Sequence, residues 1–571
     1  MNLDKNQEKA VNHLNGPAIV VAGPGSGKTA VVTERILTLI HKHNVPHDDI
    51  LAIAFNRKAV EEMENRLIDH LSSRDRLPTI RTLHAFGKDI ITEHHKRIGF
   101  QHNPEIWSGE LERIIAQERK QIEQTVSNTD VAIYKIEDKK TGKCYIGQTT
   151  NPERRKHEHF THSSNDRLRQ AIRAEGEEQF IFEVLEQVSG KDANIREAHR
   201  IWHYKNRAGV FNRADPMRQQ FSNQLMIEVF CKHFDIQYTE HLDRDPDFEN
   251  LRDRFTEIKD TVFRAKRQVK SGTFDPNTLK SPVAREFAKR YETLKSEANA
   301  LDFEDMIIYA AHLLETHPDI RQTYQEKYPY LLVDEFQDIA PADFRLIDQL
   351  TNNLFAVGDD DQAIYSFRGG NSQIMIQFSH RVDVKKYEIT RNYRSTSTIV
   401  EHARALIERN NPRIRKNLRA YNPLKCTIIN VETSPETIEQ ELLTHLSEPV
   451  ETAILARTNY EVDRITEVLS SHTFSHPIEA TTIHKAKGRE WEKVILVHNT
   501  LERKFPRKDT ILEEERRVFY VAMTRAKEQL VVLGGTCQFV PEFVKIPKNS
   551  GYYFRQFTYW YDRRKVKTVA F

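Results

Sequence analysis

Cysteine is scarce in this 571-residue chain: Cys144, Cys231, Cys426 and Cys537 stand far apart and form no CxxC pair. That spacing argues against a disulfide scaffold and a thiolate zinc site, and a reducing compartment fits best. Long apolar runs are missing as well. No stretch approaches the roughly eighteen residues of a membrane span, and mean hydropathy is −0.65, so a water-soluble protein without membrane partners is expected. Charge of one sign is absent: 85 basic against 83 acidic residues leave a net charge of +2. The whole chain therefore carries no preference for nucleic acid or membranes, and any basic surface must be local. No leader is visible, since MNLDKNQEKAVNHL has neither a charged-then-apolar nor an Arg/Ser-rich pattern, and nothing is expected to be cleaved. At 66.9 kDa the chain exceeds one module, and about three to five domains are expected.

What is present starts with phosphate chemistry. Residues 18–22, AIVVA, read as a buried strand, GPGSGKT as a glycine-rich loop and AVVTERILTLIHK as a helix. Ala22 stands where the first glycine of such a loop is usual. Gly23, Gly25, Ser26 and Gly27 let backbone N–H groups curl around phosphates, Lys28 reaches the β and γ oxygens, and Thr29 holds Mg²⁺. The partner of such a loop is an apolar strand ending in acids, and YPYLLVDEFQD (328–338) supplies it. There Asp334 is expected to hold Mg²⁺, and Glu335 to orient or deprotonate the attacking water. ATP and Mg²⁺ are the cofactors this pair of motifs calls for.

Further blocks follow along the chain: LDKNQEKAV (3–11), AFNRKAVEEMENRL (54–67), TLHAFG (82–87), VGDDDQAIYSFRGG (357–370), TRNYRS (390–395), TIHKAKGREWEKVIL (482–496) and RRVFYVAMTRAKEQL (516–530). In this order they resemble the UvrD/Rep-type superfamily 1 DNA helicases. The resemblance implies an α/β fold in which two recA-like P-loop lobes, each built on a parallel sheet, close on ATP. It makes Gln7 the reader of adenine and Tyr393 the residue stacked on it. Arg394 and Arg525 become arginine fingers from the second lobe, placed where the charge of the γ-phosphate spreads. Gln362 couples phosphate sensing to DNA contact, and Glu490 serves the ribose or the coupling to DNA. Phe55, Thr82, His84, Tyr365, Phe367 and Arg368 fall in the DNA-contacting motifs. Stacking on bases suits a motor that must grip any sequence, although Phe55, Tyr365 and Phe367 read equally as core residues when taken alone. Phe367 stands where the family often has tryptophan, a smaller platform. The regulatory domain usual in the family between AILARTNYEVDR (453–464) and TIHKAKG has no room here.

The stretch between TLHAFG and ALDFEDMIIYAAHLL (300–314) is longer than a helical insertion needs. Within it VAIYKI (131–136) and KCYIGQT (143–149) read as a hairpin and FIFEVLEQV (180–188) as a third strand. PERRKHEHF (152–160) and NIREAHRIWHYKNR (194–207) read as helices. Over 131–215 this pattern resembles a small α+β GIY-YIG endonuclease domain, with Ala132 replacing its first glycine. The resemblance implies Mg²⁺ on Glu197, charge neutralisation by Arg155, and Asn212 as the closing asparagine beside the DNA. Tyr134, Tyr145 or His159 would handle the proton of the attacking water, and the sequence does not choose among them.

The expected domains are a first lobe over 1–88 and 296–392, a helical insertion over 89–130 and 216–295 that displays the nuclease domain 131–215, and a second lobe over 393–540. An aromatic and basic segment, 541–571, completes the chain; stacking on bases, packing on the second lobe and docking another protein all stay open for it. The expected activity is an ATP-driven translocase or helicase on single-stranded or forked DNA, moving 3′ to 5′, with a Mg²⁺-dependent endonuclease in the same chain. Repair, recombination or antiviral defence in the cytoplasm, at the nucleoid, would be its setting, with a protein partner left open. The other reading is a DNA sensor or remodeller switched by ATP, whose GIY-YIG fold only binds DNA.

Overall fold

A computed structural model describes residues 3–71, 73–163, 165–205, 207, 209–212, 223–237, 242, 248, 251–426, 428–432, 437–498, 505, 511–535, 537–540, 542, 555–561 and 564–570. The polypeptide forms two compact units. One comprises Met1–Asn103, Lys266–Phe274 and Phe303–Phe571, the other Pro104–Ala265 and Asp275–Asp302.

The first unit is α/β and holds two large sheets and a two-stranded one, Arg391–Thr396 with Arg419–Asn422. Six parallel strands run in the order Lys385–Ile389, Ala18–Ala22, Leu354–Gly358, Tyr330–Val333, Ile50–Ala54 and Thr79–Thr82. AIVVA, ILAIA and LFAVG are buried at all five positions, the continuous apolar pattern of strands covered on both faces. The loops that follow Ala22, Val333 and Gly358 leave the same end of adjacent strands, which is where ligands bind in open α/β sheets.

The second sheet places Ile478–Thr482, Thr452–Ala456, Trp491–His498, Ala526–Gly534 and Ile428–Glu432 side by side and parallel. A single helix, Asn459–Ser470, joins Thr452–Ala456 to Ile478–Thr482. Next to Ile428–Glu432, the backbone of Arg564–Ala570 and Arg555–Tyr561 adds an antiparallel hairpin. The aromatic and basic side chains of that segment lie outside the described residues.

The first unit runs on to Asn103, beyond the boundary expected at residue 88, and resumes at Phe303. The reason is helix packing: a Cβ on Gly87 of the Leu83–His94 helix would stand 2.7 Å from Met306 O on the Phe303–Thr316 helix. Lys266–Phe274 also returns to this unit.

The second unit combines helices with a small antiparallel sheet. Its three-stranded antiparallel sheet has Asp130–Asp138 in the middle, flanked by Cys144–Thr149 and Phe180–Ser189. Helices Pro152–His162 and Asp166–Glu175 lie between the second and third strands in sequence, and Gly190–Lys205 follows. Leu168, Ile172, Phe180 and Phe211 close its core around Tyr134. Among the described residues, no helix is long and apolar enough to cross a membrane.

Candidate functional site

The glycine-rich loop leaves the Ala18–Ala22 strand and enters the Lys28–His43 helix at Gly27, whose φ of 78° is left-handed and suits glycine. The N–H groups of that helix end are free to face an anion. Ser26 Oγ donates to Gly23 O at 2.7 Å and tightens the loop. Gln7 closes one side of it, with Nε2 donating to Ser26 O at 3.0 Å and Oε1 accepting from Asp4 N–H at 2.8 Å. The amide expected to read adenine therefore also holds the loop and caps the Lys5–Val11 helix. Tyr393 joins the same place: its N–H donates to Gly25 O at 2.9 Å and its hydroxyl to Asp4 Oδ2 at 2.8 Å. Tyr393 is 40% exposed, and its ring lies 5.1 Å from Tyr421 and 5.8 Å from the Arg391 guanidinium.

Thr29 Oγ1 donates to Asp334 Oδ2 at 3.2 Å, which puts two hard oxygens together at the foot of the loop. An all-oxygen set of this kind fits Mg²⁺. Glu335 follows at φ 52°, a left-handed conformation that is strained for a side-chain-bearing residue. Lys28 Nζ stands 3.5 Å from Glu335 Oε1, and Lys487 Nζ stands 3.9 Å from Glu335 Oε2. Burial alone would raise the Glu335 carboxyl, but the Lys28 and Lys487 ammonium groups hold it below the usual range. Burial and the charge of Glu335 raise Asp334. The two carboxyls are thus driven apart, Glu335 downward and Asp334 upward.

Two arginines come from outside the first sheet: Arg525, just before the Ala526–Gly534 strand, and Arg394, on the Arg391–Thr396 strand. Arg525 is 1% exposed and donates to Val521 O, Arg489 O, Thr524 Oγ1 and, at 3.2 Å, Gln362 Oε1. All these acceptors are uncharged, and burial together with the nearby Arg394 charge lowers Arg525 to about 9. Such a buried cation is primed for a charged ligand. Arg394 pairs with Glu490 and donates to Thr524 O at 3.1 Å. Glu490 therefore holds Arg394 in this arrangement. Gln362 Nε2 in turn donates to Asp359 Oδ2 at 2.5 Å. Asp359, Asp360 and Asp361 lie close enough to share a cation, and Lys416 Nζ occupies that place at 2.5, 2.6 and 2.9 Å.

The aromatic residues expected to touch DNA form a ladder. Phe55 stacks on Tyr365 at 5.2 Å and 18°, Tyr365 lies 6.0 Å from Phe367, and Phe367 meets His484 edge-on at 5.2 Å. Arg368 lies over both Tyr365 and Phe367. Phe55 and Phe367 are 37% and 47% exposed, so the ladder is a surface and not a core. Thr82 Oγ1 caps the Leu83–His94 helix through Ala85 N–H, and His84 lies edge-on to Phe303, outside the ladder.

The second unit assembles a separate cluster. Arg155 Nε donates to Tyr134 Oη at 3.2 Å, Tyr134 Oη lies 2.7 Å from His159 Nε2, and His159 Nδ1 lies 3.0 Å from Ser163 Oγ. Glu158 holds the Arg155 guanidinium at 2.6 Å. Tyr145 lies 5.0 Å from His159 and 6.2 Å from Tyr134, ring to ring. Gly147 faces Tyr134 in the register, and a Cβ there would stand 2.4 Å from Tyr134 Oη and 2.9 Å from Tyr145 Cε1. The glycine is what lets both tyrosines turn inward. Burial and the Arg155 charge keep His159 uncharged, while burial raises Tyr134 and Tyr145. Glu197 accepts from Gln148 Nε2 at 2.6 Å, and burial pushes its carboxyl up to about 7. A carboxylate so destabilised fits a bound cation. Asn212 spends its side chain on the backbone of Ile146, accepting from its N–H at 3.0 Å and donating to its O at 2.7 Å.

Several participants carried no assignment in the sequence. Gln337, whose Oε1 accepts from Asp359 N–H at 2.8 Å and whose Nε2 reaches Glu335, sits inside DEFQD. Asn392, donating to Pro24 O at 2.7 Å, sits inside TRNYRS. Lys487 and His484 sit inside TIHKAKG. Motif position was available as a signal for these four. Gln148, Glu158 and Ser163 had none, because only the folded hairpin and helix bring them to Glu197, Arg155 and His159.

Comparison with known families places residues 3–383 on the UvrD/REP helicase N-terminal domain and residues 473–534 on the UvrD-like helicase C-terminal domain. Among curated relatives, the putative ATP-dependent DNA helicase YjcD of Bacillus subtilis is 25% identical over 73% of this chain and 40% of its own length. The ATP-dependent DNA helicase Rep of Buchnera aphidicola is 25% identical over 81% of this chain and 54% of its own. A probable DNA helicase of Mycoplasma pneumoniae is 25% identical over 93% of this chain and 83% of its own. The chain spans about half the length of the first two.

Proposed function

The chain belongs to the UvrD/REP helicase family, and from that premise we propose that it is an ATP-driven translocase on single-stranded DNA, moving 3′ to 5′, with a Mg²⁺-dependent GIY-YIG endonuclease in the same chain. The observation that carries the motor reading is the Arg525–Gln362 hydrogen bond. It joins the arginine before the Ala526–Gly534 strand to Gln362, which precedes Tyr365 and Phe367 of the ladder in sequence. In this reading Lys28 and the loop N–H groups bind the phosphates, with Thr29 and Asp334 holding Mg²⁺. That ion neutralises phosphate charge when bound. Glu335, ionised, accepts a proton from water, and Arg525 and Arg394 move onto the phosphate as the lobes close. Arg525 then leaves or retains Gln362, and that choice reaches Tyr365 and Phe367 a few residues on. The test is hydrolysis of ATP with and without oligo-dT: stimulation by DNA, lost in Lys28→Ala, supports the reading, and indifference to DNA would sink it.

The nuclease reading rests on the Arg155–Tyr134–His159 chain next to Glu197. Tyr134 is fully buried and His159 is 2% exposed, whereas Tyr145 keeps partial exposure. Tyr145 is therefore the group that reaches a water molecule, its ring 6.2 Å from Tyr134 and 5.0 Å from His159. Arg155 has only donors, so Tyr134 Oη accepts from it and directs its own proton to the uncharged His159. Glu197 would hold the Mg²⁺, which polarises the scissile phosphate when bound. The setting we propose is repair, recombination or defence against foreign DNA in the cytoplasm.

A further inference from the structure

The Asn223–His233 helix lies beyond residues 131–215, yet it reaches the Arg155 cluster. The second unit seats it firmly: Leu225, Met226, Ile227, Val229 and Phe230 are buried, and a Cβ on Gly190 would stand 3.2 Å from Leu225 Cδ2. From this helix Glu228 meets the start of the Pro152–His162 helix, where it accepts from Thr150 Oγ1 and Arg154 Nη2. Arg154 Nε stands 3.2 Å from Glu158 Oε1, and Glu158 Oε2 lies 2.6 Å from Arg155 Nη1. Glu228, Arg154, Glu158 and Arg155 thus alternate in charge, and the row ends on the guanidinium that donates to Tyr134 Oη. The Glu228 and Glu158 side chains are 10% and 5% exposed, so water and salt screen these pairs little.

The allocation of oxygens along this row has a consequence. A guanidinium fork takes both oxygens of a carboxylate when nothing else engages it. Glu228 engages Nη2 of Arg154, so Arg154 meets Glu158 through Nε, and Glu158 Oε2 is left to Arg155. We propose that Glu228 is a positioning residue for phosphodiester cleavage: by holding Arg154 it keeps Glu158 on Arg155, and so keeps Arg155 at the angle that meets the reacting phosphate. The cutting site is then completed by a helix from outside residues 131–215. Without the Glu228 carboxylate, Arg154 turns its fork onto both oxygens of Glu158, and Arg155 loses the partner that fixes it. The inference rests on the nuclease reading.

Mg²⁺-dependent cleavage of forked and circular DNA by the full chain tests this, with kcat and KM compared for wild type, Glu228→Gln, Arg154→Met and the double variant. Hydrogen exchange in the Asp130–Asp138 strand follows whether each variant keeps the sheet folded. Glu228→Gln is expected to lower kcat roughly tenfold or more, with KM changed less than about threefold. Arg154→Met, alone or added to Glu228→Gln, is expected to leave kcat within about threefold of wild type, because Glu158 then has no second arginine to serve. A contact that only packed the helix in place would instead make the two losses add. An unchanged kcat in Glu228→Gln, or a double variant that cuts no better than Glu228→Gln, would overturn the inference alone. Wild type that cuts no DNA would overturn the nuclease reading and this inference with it.

Discussion

Arg525 Nη2 donates to Gln362 Oε1 at 3.2 Å, so a buried arginine just before the Ala526–Gly534 strand is held by a neutral amide. A neutral partner is one that an incoming phosphate can displace. Removing the arginine should cost transition-state stabilisation and not nucleotide binding. Arg525→Ala is expected to lower DNA-stimulated kcat for ATP by roughly 100-fold or more, with the Kd for a nucleotide analogue changed only a few-fold. Steady-state hydrolysis and equilibrium binding check this together; a kcat within threefold of wild type would refute the role.

The ladder predicts DNA affinity. Phe55 stacks on Tyr365 and stays partly exposed, so a base can replace solvent on its face. Phe55→Ala is expected to weaken oligo-dT binding by about 1–3 kcal/mol, the worth of one stacked base. Anisotropy titrations at fixed salt measure it, and an unchanged Kd would return Phe55 to a packing role.

Gly147 makes a geometric prediction. A side chain there meets Tyr134 Oη at 2.4 Å inside a closed core. Gly147→Ala is expected to abolish cleavage and to expose the Asp130–Asp138 strand to faster hydrogen exchange, with exchange in the Ala18–Ala22 strand unaffected.

His498 sets a pH dependence. Its ring is 1% exposed, has no hydrogen-bond partner among the described residues, and is held by burial down to about 4. The unfolded chain titrates near about 6.5, so between these values the unfolded state binds more protons. Stability is therefore present above about pH 6.5 and is lost as pH falls toward 4, by about 3 kcal/mol for this group. Melting temperatures across pH 4–7 should fall more steeply for wild type than for His498→Leu; parallel curves would contradict the assignment.

Legibility in the sequence followed the length of the signal. AIVVA, ILAIA and TAILA are apolar runs between turn residues, and each is a fully buried parallel strand. Lys28, Thr29, Asp334 and Glu335 converge because strand ends bring their loops together, a consequence of topology that the motifs already encode. The hairpin over 130–149 was legible from alternation and Gly142. Other features depend on packing. Helix Leu83–His94 belongs with the first unit because Gly87 admits Met306 O, and nothing in the local sequence announces that contact. Gln7 and Asn212 show a second limit: residue type identified them, but the backbone claims hydrogen bonds from both. Ser163 and Gln148 were invisible since short polar residues in a hairpin and a helix end are common for reasons of turn and capping chemistry.

The most direct test of one chain holding both a motor and a cutter is cleavage of circular and forked DNA with Mg²⁺, with and without ATP, for wild type, Glu197→Ala and Lys28→Ala. The account predicts that wild type cuts, that Glu197→Ala hydrolyses ATP on DNA but does not cut, and that Lys28→Ala loses hydrolysis. Wild-type protein that hydrolyses ATP on DNA yet leaves every substrate intact, or cutting that persists in Glu197→Ala, would contradict it.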